Sequence, residues 1–199
     1  MKRIGSLVLI VAFGIVLSQS VSAQSAKSWN IDKSHSSIAF SIDHFFSAVP
    51  GKFKDFGGTI HFDPDNLKGS SVDFIIQVKS VDTDEADRDS HLQSPDFFDA
   101  ATYPVITFKS QSFTKTSENM YVVKGTLTMR GTSKEVELPL KVKGTVDNPW
   151  KEGSVIMGIS IDTALDRTDY GVGTGSWGAT AVVGDEVIIR INMELDAPK

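Results

Sequence analysis

Apolar and polar residues alternate along most of the chain, which is the pattern of a β-strand with one buried face. The clearest stripe is formed by Val187, Ile189, Ile191, Met193 and Leu195. Further stripes begin at Ile38, Ile60, Val72, Tyr121, Val136 and Val155. The stretch from Val105 to Phe108 is apolar on both faces. Together these stripes predict eight or nine short strands.

Turn-forming residues separate the stripes, at positions 63–66, 130–133 and 147–149. Pro139 interrupts the polar face of its stripe. Because proline has no N–H to donate to a neighbouring strand, we expect an edge strand or a bulge at this position.

One segment in the middle of the chain lacks the alternation. Residues 84–92 are compatible with a helix, and Ser94-Pro95-Asp96 resembles a helix start, with a cap, a first-turn proline and an acidic first turn. The expected fold is therefore all-β and antiparallel, with about eight strands and a short helical insertion. Periodicity alone does not choose between a sandwich and a closed barrel.

The N-terminus has the organisation of a secretory signal peptide. A basic start, Met1-Lys2-Arg3, precedes an apolar stretch over residues 4–17 and a small-residue site that ends at Ala23. The apolar stretch, about 14 residues, is shorter than the roughly 20 needed to span a bilayer, so a membrane anchor is disfavoured. We expect residues 1–23 to be removed and residues 24–199 to form one exported domain, periplasmic or secreted.

Charge and composition exclude several classes of function. The formal net charge of the chain is −5. Removal of the predicted signal peptide would take away Lys2 and Arg3 and make the net charge more negative by two. Such a surface repels phosphate backbones, so nucleic acids and anionic membrane surfaces are not expected partners. The chain contains no cysteine, which excludes disulfides and thiolate metal sites.

Several sequences resemble known functional motifs, but the residues around them do not fit those motifs. The glycines of residues 173–178 match G-x-G-x-x-G, but no buried strand precedes them and no helix pattern follows, so we interpret them as a loop between strands. The acidic run 82–87 lacks the glycine of a calcium loop. The four histidines show no ligand pair at helical spacing, and no nucleophile elbow occurs. We therefore expect no metal and no cofactor.

The segment Arg88-Asp89-Ser90-His91-Leu92 is the best candidate for polar recognition. Arg88 and His91 are three residues apart and share a face if the segment is helical. A purely local role, in which Arg88 pairs with nearby carboxylates and His91 caps a turn, is the simpler reading. The functional alternative is a polar collar at a barrel mouth that contacts an anionic or polar head group, with Arg167 as a second cation.

With these residues in view, the chain resembles the YceI family of bacterial periplasmic polyisoprenoid-binding proteins, which have a lipocalin-like barrel. The resemblance covers nearly all of residues 24–199. It is carried by six ordered blocks: residues 29–36 with 40–44, 51–58, 80–83 with 88–99, 103–110, 125–131 and 166–171. It implies closure into a barrel and an interior that takes an isoprenoid tail, as in a polyprenyl diphosphate or a quinone, or a related fatty amide.

On this interpretation the protein binds a long apolar lipid. A further hypothesis is that it also carries this lipid. The polar contacts would be Arg88, His91 and Arg167. The expected channel residues are Phe40, Phe74, Phe97, Phe98, Met157 and Trp177. Each apolar residue taken singly is also a normal core residue, since stripes mainly fill cores. Methionine is pliable and suits a variable tail.

Two other function classes stay open at this point. The first is an enzyme that acts on a lipid head group, with His91 as acid, Arg88 as anion clamp and Asp89 as orienting residue, although no activated nucleophile or metal set is evident. The second is a structural or stress-response module with a filled core and no ligand. A homodimer is compatible with each of these readings. We expect a binding protein and not an enzyme.

Overall fold

The structure, a computed structural model, describes residues 25–178 and 181–199. The predicted signal peptide lies outside the described residues. The strands in chain order are β1 (Ser28–His44), β2 (Ser47–Phe53), β3 (Phe56–His61), β4 (Ser71–Gln77), β5 (Val81–Asp82), β6 (Val105–Ser117), β7 (Met120–Met129), β8 (Thr132–Asp147), β9 (Ser154–Asp166) and β10 (Val183–Pro198). The helix α1 (Ala86–Gln93) lies between β5 and β6, and short 3-10 turns occupy Leu67–Gly69, Val78–Ser80, Thr168–Tyr170 and Gly175–Trp177.

The strands form a closed antiparallel barrel with eight walls. β2 and β3 are successive parts of one wall, because both pair with β1. β4 and β5 form the next wall in the same way, since they pair with β3 and β2 respectively. The remaining walls follow in chain order, and β1 closes the ring by pairing with β10, for example Ile38 with Ile191. The predicted barrel is thereby confirmed over the sandwich.

The apolar stripes face the barrel interior, and one end of the interior is packed solid. Four aromatic side chains fill that closed end: Trp29, Phe62, Phe113 and Tyr121. The ring of Phe62 lies 5.2 Å from that of Tyr121, edge to face, and the indole N–H of Trp29 donates to the Phe62 carbonyl at 2.8 Å. Such pairs satisfy the buried indole while they exclude water. The opposite end, which carries α1 and the β9–β10 connection, forms the mouth.

Two local predictions have different outcomes. The expected helical insertion at residues 84–92 is confirmed as α1. The second helix start at Ser94 is wrong: Ser94 ends α1, where its N–H donates to the His91 carbonyl at 3.0 Å. The following residues form consecutive turns. Serine favours both ends of helices because its short side chain competes for backbone groups, so residue type alone could not assign the end.

Pro139 occupies an edge, as the sequence predicts. It pairs with Val122 of β7, whereas the pairing of β8 with β9 begins only at Leu140. In the described part of the chain, β9 pairs with no residue of β8 between Pro139 and the mouth, so β8 has a free edge there, where proline costs no ladder hydrogen bond. Among residues 25–178 and 181–199, no helix has the length and hydropathy to cross a membrane.

Candidate functional site

The barrel encloses a cavity of about 790 Å³. Its wall is built from the inward stripes of the strands, and the polar side chains that reach it come mainly from α1 and the mouth. Close-packed protein interiors hold few voids larger than a water molecule, so a space of this size is not a packing defect. It falls within the range of about 300–1,000 Å³ that is typical of small-molecule sites. The filled core of the structural-module hypothesis is not observed.

Helix α1 is fixed across the mouth by hydrogen bonds at its first turn. The Glu85 carboxylate caps the helix by accepting from the backbone N–H of Asp87 and, at 2.7 Å, of Arg88. The Asp89 carboxylate accepts from the N–H of Thr83 at 2.8 Å and from its hydroxyl at 2.6 Å. An acidic first turn is favourable at a helix N-terminus. The helix is thus tied to the end of β5, and its side chains reach the cavity.

Arg88 points from α1 to the cavity wall. Its Nε donates to the Thr83 hydroxyl at 2.8 Å and its Nη2 to the Thr83 carbonyl at 2.7 Å. Within the described part of the chain no carboxylate pairs with this guanidinium, and Nη1 has no acceptor. The local ion pair considered for Arg88 is therefore not formed, and the half-buried cation keeps donor capacity toward the cavity.

His91 belongs to a cluster of four side chains at the mouth, here called the His91 cluster: His91, Asp96, Phe97 and Trp177. The imidazole Nε2 lies 3.1 Å from an Asp96 carboxylate oxygen, which also accepts from the Trp177 indole N–H at 3.3 Å. The imidazole contacts the rings of Phe97 and Trp177 edge to face, with centroids 5.0 and 4.9 Å away. The hydrogen bonds from His91 and then Trp177 hold the pKa of Asp96 below its usual value of 3.8.

Arg167 is buried at the start of the β9–β10 connection, with only 3% of its surface exposed. Its Nε donates to the Gly184 carbonyl, its Nη1 to the carbonyls of Val172 and Gly173, and its Nη2 to those of Trp177 and Val183. Nη2 also pairs with the Asp185 carboxylate at 3.1 Å. All five N–H donors of a guanidinium are thereby used. These contacts show that Arg167 holds the β9–β10 connection in place. Its contact with a ligand stays a prediction.

The predicted channel residues all border the cavity. Phe40 is half-buried, and its ring lies 5.6 Å from that of Phe53, which in turn contacts Phe98 at 5.9 Å. Phe74 is buried and stacks on Phe56 at 6.1 Å. Met157 is almost fully buried in the wall. Their position on the cavity wall makes ligand contact available to each, and which of them touch a ligand stays a prediction.

Sequence reasoning missed three residues that shape the mouth. Thr83 joins Arg88 to Asp89, Asp96 joins His91 to Trp177, and Phe53 joins Phe40 to Phe98. Thr83 and Asp96 stand inside the most distinctive block of the resemblance. The partners of Thr83 lie in α1, whereas those of Asp96 depend on the turns of residues 94–102, which the sequence did not predict.

The enzyme hypothesis assigns roles to His91, Arg88 and Asp89, and these three side chains do not form a connected group. The Asp89 carboxylate is bound to Thr83, and the imidazole of His91 faces Asp96 instead. No hydrogen bond joins Asp89 to His91 among the described residues. An orienting carboxylate must hydrogen-bond its acid, so this arrangement gives the proposed trio no support.

A second polar group lies on the outer surface, away from the cavity. His35 Nδ1 is 2.8 Å from Asp32 and 4.0 Å from Glu194, beside the shifted register between β1 and β10. The three potential ligand atoms lie within 4.8 Å of one another. The Asp32 hydrogen bond raises the pKa of His35 above 6.5. An ion pair on an exposed surface accounts for this geometry without a metal.

Comparison with known proteins agrees with the architecture. The model of the YceI-like domain matches residues 29–195. Protein YceI of Escherichia coli is 38% identical over 152 residues, which are 75% of this chain and 78% of that protein. The crystal structure of Burkholderia cenocepacia BcnA superposes with a TM-score of 0.72 at 29% identity, over 84% of this chain and 99% of that one.

A more distant structure has the same fold. A polyisoprenoid-binding domain from Saccharophagus degradans, implicated in plant cell wall breakdown, superposes with a TM-score of 0.65 at 16% identity over 86% of this chain and 99% of that one. The sequence resemblance, the closed barrel and the family match over residues 29–195 lead to one conclusion. The chain belongs to the YceI-like domain family.

Proposed function

We propose that this protein binds a lipid with an isoprenoid or similarly long apolar tail, with the tail in the barrel and the head group beside α1. The observation that carries the proposal is the apolar cavity of about 790 Å³, which opens toward Arg88. The family supports a binding role, and the Saccharophagus degradans domain of the same fold supports this ligand class.

Burial of the tail would supply most of the affinity. Each methylene that leaves water contributes about 0.8 kcal/mol, so about ten carbons contribute roughly 8 kcal/mol before ordering costs. The wall offers few polar groups that a hydrocarbon would leave unsatisfied. The polar contacts at the mouth therefore set the orientation of the lipid more than its affinity.

Arg88 is the best placed group for a head group. Its half-buried guanidinium has no carboxylate partner among the described residues and keeps Nη1 free. A diphosphate would gain charge-assisted hydrogen bonds there. A quinone or a fatty amide would accept only an ordinary hydrogen bond. His91 lines the same mouth, although its imidazole is shared with Asp96.

Occupation of the cavity is tested with two tryptophan substitutions on one strand. Ile191 points into the cavity and Ile188 lies on the outer face of β10. We expect Ile191→Trp to weaken farnesol binding at least about tenfold, because the indole fills space that the tail needs, and Ile188→Trp to leave it unchanged. Equal affinities for both variants, or no binding by the unmodified protein, would overturn the proposal.

The role of Arg88 is tested by comparing two ligands with the same tail. We expect Arg88→Gln to weaken farnesyl diphosphate binding about tenfold and farnesol binding little, since only the diphosphate needs the cation. Similar losses for both ligands would show that Arg88 acts by supporting α1. Native mass spectrometry of gently purified protein then identifies the ligand that it carries from the cell.

The proposal also includes transport of the lipid and a location of the protein outside the cytoplasm. A protein that holds the tail of an insoluble lipid can move it between membranes, and the predicted signal peptide would place that activity outside the cytoplasm. Cell fractionation of the full chain tests the location. The alternative hypothesis of an enzyme would be favoured if the protein released phosphate from farnesyl diphosphate and His91→Ala abolished that activity.

A further inference from the structure

The hairpin between β1 and β2 ends in two exposed aromatic residues. Phe45 and Phe46 form the turn that joins His44 to Ser47. Phe45 is 57% exposed and Phe46 103%, so the Phe46 ring has almost no contact with the other described residues. Phe45 is supported by the His44 ring at 4.8 Å and by a hydrogen bond from its N–H to the Val182 carbonyl.

This turn is unfavourable for folding in two respects. Phe45 adopts a left-handed conformation with φ of 52°, which glycine and asparagine tolerate and a bulky side chain resists. Two-residue hairpin turns accordingly favour glycine and asparagine. Phe46 and more than half of Phe45 also remain in water, although each side chain would gain from burial. Strained and exposed positions of this kind persist where another requirement outweighs the cost to the fold.

The tip stands on the rim of the cavity. Ile42 and His44 of β1 and Val49 of β2 border the cavity, and the chain then continues outward to the two phenylalanines. An apolar path therefore runs from the exposed tip down the inner face of the hairpin toward Phe40. The tail of a lipid that moves from a bilayer at the tip into the cavity would therefore be exposed to water over only a short path.

The chemistry of the tip fits a bilayer better than a protein partner. A stable protein interface buries at least about 1,000 Å² in total, more than two protruding side chains can provide. The tip is followed by small or apolar residues, Ser47 to Pro50, and no Lys or Arg occurs between Asp43 and Gly51. Insertion of aromatic side chains into the head-group layer gains free energy from the apolar area of each inserted ring, and this gain does not require a basic patch.

We propose that Phe45 and Phe46 form a membrane-docking tip that inserts into the interface of a bilayer and holds the cavity mouth against it. The inference rests on the proposed lipid-binding function and specifies where the lipid enters. Docking is apolar, so it depends on neither anionic lipid nor salt, in keeping with the acidic chain.

The experiment uses the mature protein and neutral phosphatidylcholine vesicles, with co-flotation as the measurement. We expect Phe46→Ser to reduce the bound fraction at least about tenfold, and Phe46→Trp to retain it, because a fully inserted phenyl ring supplies that much partitioning. The matched control is Trp150→Ala. Trp150 is 88% exposed on the β8–β9 loop at the closed end, so its removal should leave flotation unchanged.

A second variant separates docking from folding. Phe45→Gly/Phe46→Asn supplies a favourable turn, so its thermal midpoint should equal or exceed that of the unmodified protein while flotation is lost. Binding of farnesol in the absence of vesicles should be unchanged in every tip variant.

The outcomes distinguish the two proposals. If the unmodified protein binds farnesol and does not float with vesicles, the docking tip is overturned and the lipid site stands. If it floats through Phe46 and binds no farnesol, the lipid site is overturned. Flotation that survives Phe46→Ser or requires added phosphatidylglycerol contradicts docking by the tip. A concentration-dependent dimer that Phe46→Ser abolishes, without flotation, would assign the tip to a second copy of the chain.

Discussion

The guanidinium of Arg167 lies where the carbonyls of Val172, Gly173, Trp177, Val183 and Gly184 converge. Close approach at Gly173 is part of this arrangement, since a Cβ there would stand 2.6 Å from Nη1 and 2.7 Å from the Phe97 ring. A planar group with five fixed donors suits converging carbonyls, whereas a lysine ammonium supplies three. One buried side chain thus organises the connection that carries Trp177.

Replacement of Arg167 by methionine should destabilise the protein strongly. The change leaves several carbonyls and the partly buried Asp185 carboxylate without their donor, and we expect a loss of about 3–5 kcal/mol in the free energy of unfolding. Urea titration measures it. Arg190→Met is the matched control, because Arg190 is exposed and only 4.0 Å from Asp162, and should change stability by less than about 0.5 kcal/mol. Equal effects would contradict the role of Arg167.

Asp82 is a second residue whose surroundings determine a measurable property. Lys54 Nζ lies 2.7 Å from its carboxylate and Lys52 Nζ 3.5 Å from it. The Lys54 hydrogen bond, with the N–H of Asp84 and the charge of Lys52, lowers the pKa of Asp82 to about 2. The acidic run 82–87, whose calcium interpretation was already disfavoured by its sequence, therefore contains a paired carboxylate at its first position.

The pH dependence follows from this lowered pKa. The stabilisation from Asp82 is fully present above the unfolded value of 3.8 and is lost as the pH falls toward about 2. We expect Lys54→Gln to raise the pKa of Asp82 toward 3.8 and to shrink that loss, measured by NMR titration of the carboxyl carbon. Lys33→Gln removes an exposed ion pair with Asp55 and should leave Asp82 unaffected. An unshifted Asp82 in Lys54→Gln would refute the pairing.

At the scale of elements, the β1–β2 hairpin shows how a glycine admits an aromatic side chain. Gly51 is directly opposite Phe40, and a Cβ at position 51 would lie 2.2 Å from the tip of the Phe40 ring. The ring can therefore lie across the neighbouring strand on the cavity wall. Gly57 in β3 has open space around the corresponding position.

Valine substitutions at these two glycines should have opposite consequences. Gly51→Val forces the Phe40 ring from its place, with an expected cost of about 1–3 kcal/mol in the free energy of unfolding and a smaller cavity for farnesol. A Cβ at position 57 meets no described atom within 4 Å, so Gly57→Val should be neutral or stabilising in a strand. Thermal melts of the two variants measure the difference. Matching losses would indicate that backbone freedom, and not the contact with Phe40, explains Gly51.

The sequence predicted the elements well where a regular period existed. The stripes identified eight of the ten described strands, whereas β2 and the two-residue β5 carry no regular stripe and were not predicted. Pro139 indicated the edge that β8 presents before Leu140. The prediction failed at Ser94, where the end of α1 and the start of another helix use the same residue types. The partnership of Asp96 with His91 and Trp177 depends on those unpredicted turns, so part of the candidate site was beyond a periodicity argument.

At the scale of the whole molecule, two properties could not follow from local pattern. Closure requires β1 to pair with β10, whose partner residues are far apart in sequence, and a stripe such as that of Val187 to Leu195 serves a sandwich equally well. The family resemblance supplied that step. The cavity also depends on the diameter of an eight-walled barrel, because identical stripes would fill a narrower one.

Pairing of the first strand with the last has a consequence for the order of folding. The wall formed by Val183–Pro198 is synthesised after the other seven walls, and Ile38 has no β10 neighbour until it appears. A nascent chain that lacks this segment has two open sheet edges and an exposed apolar lining, which is the condition that invites aggregation. Contacts of such long range also form slowly. The protein should consequently depend on chaperones most during the interval between synthesis of β1 and release of β10.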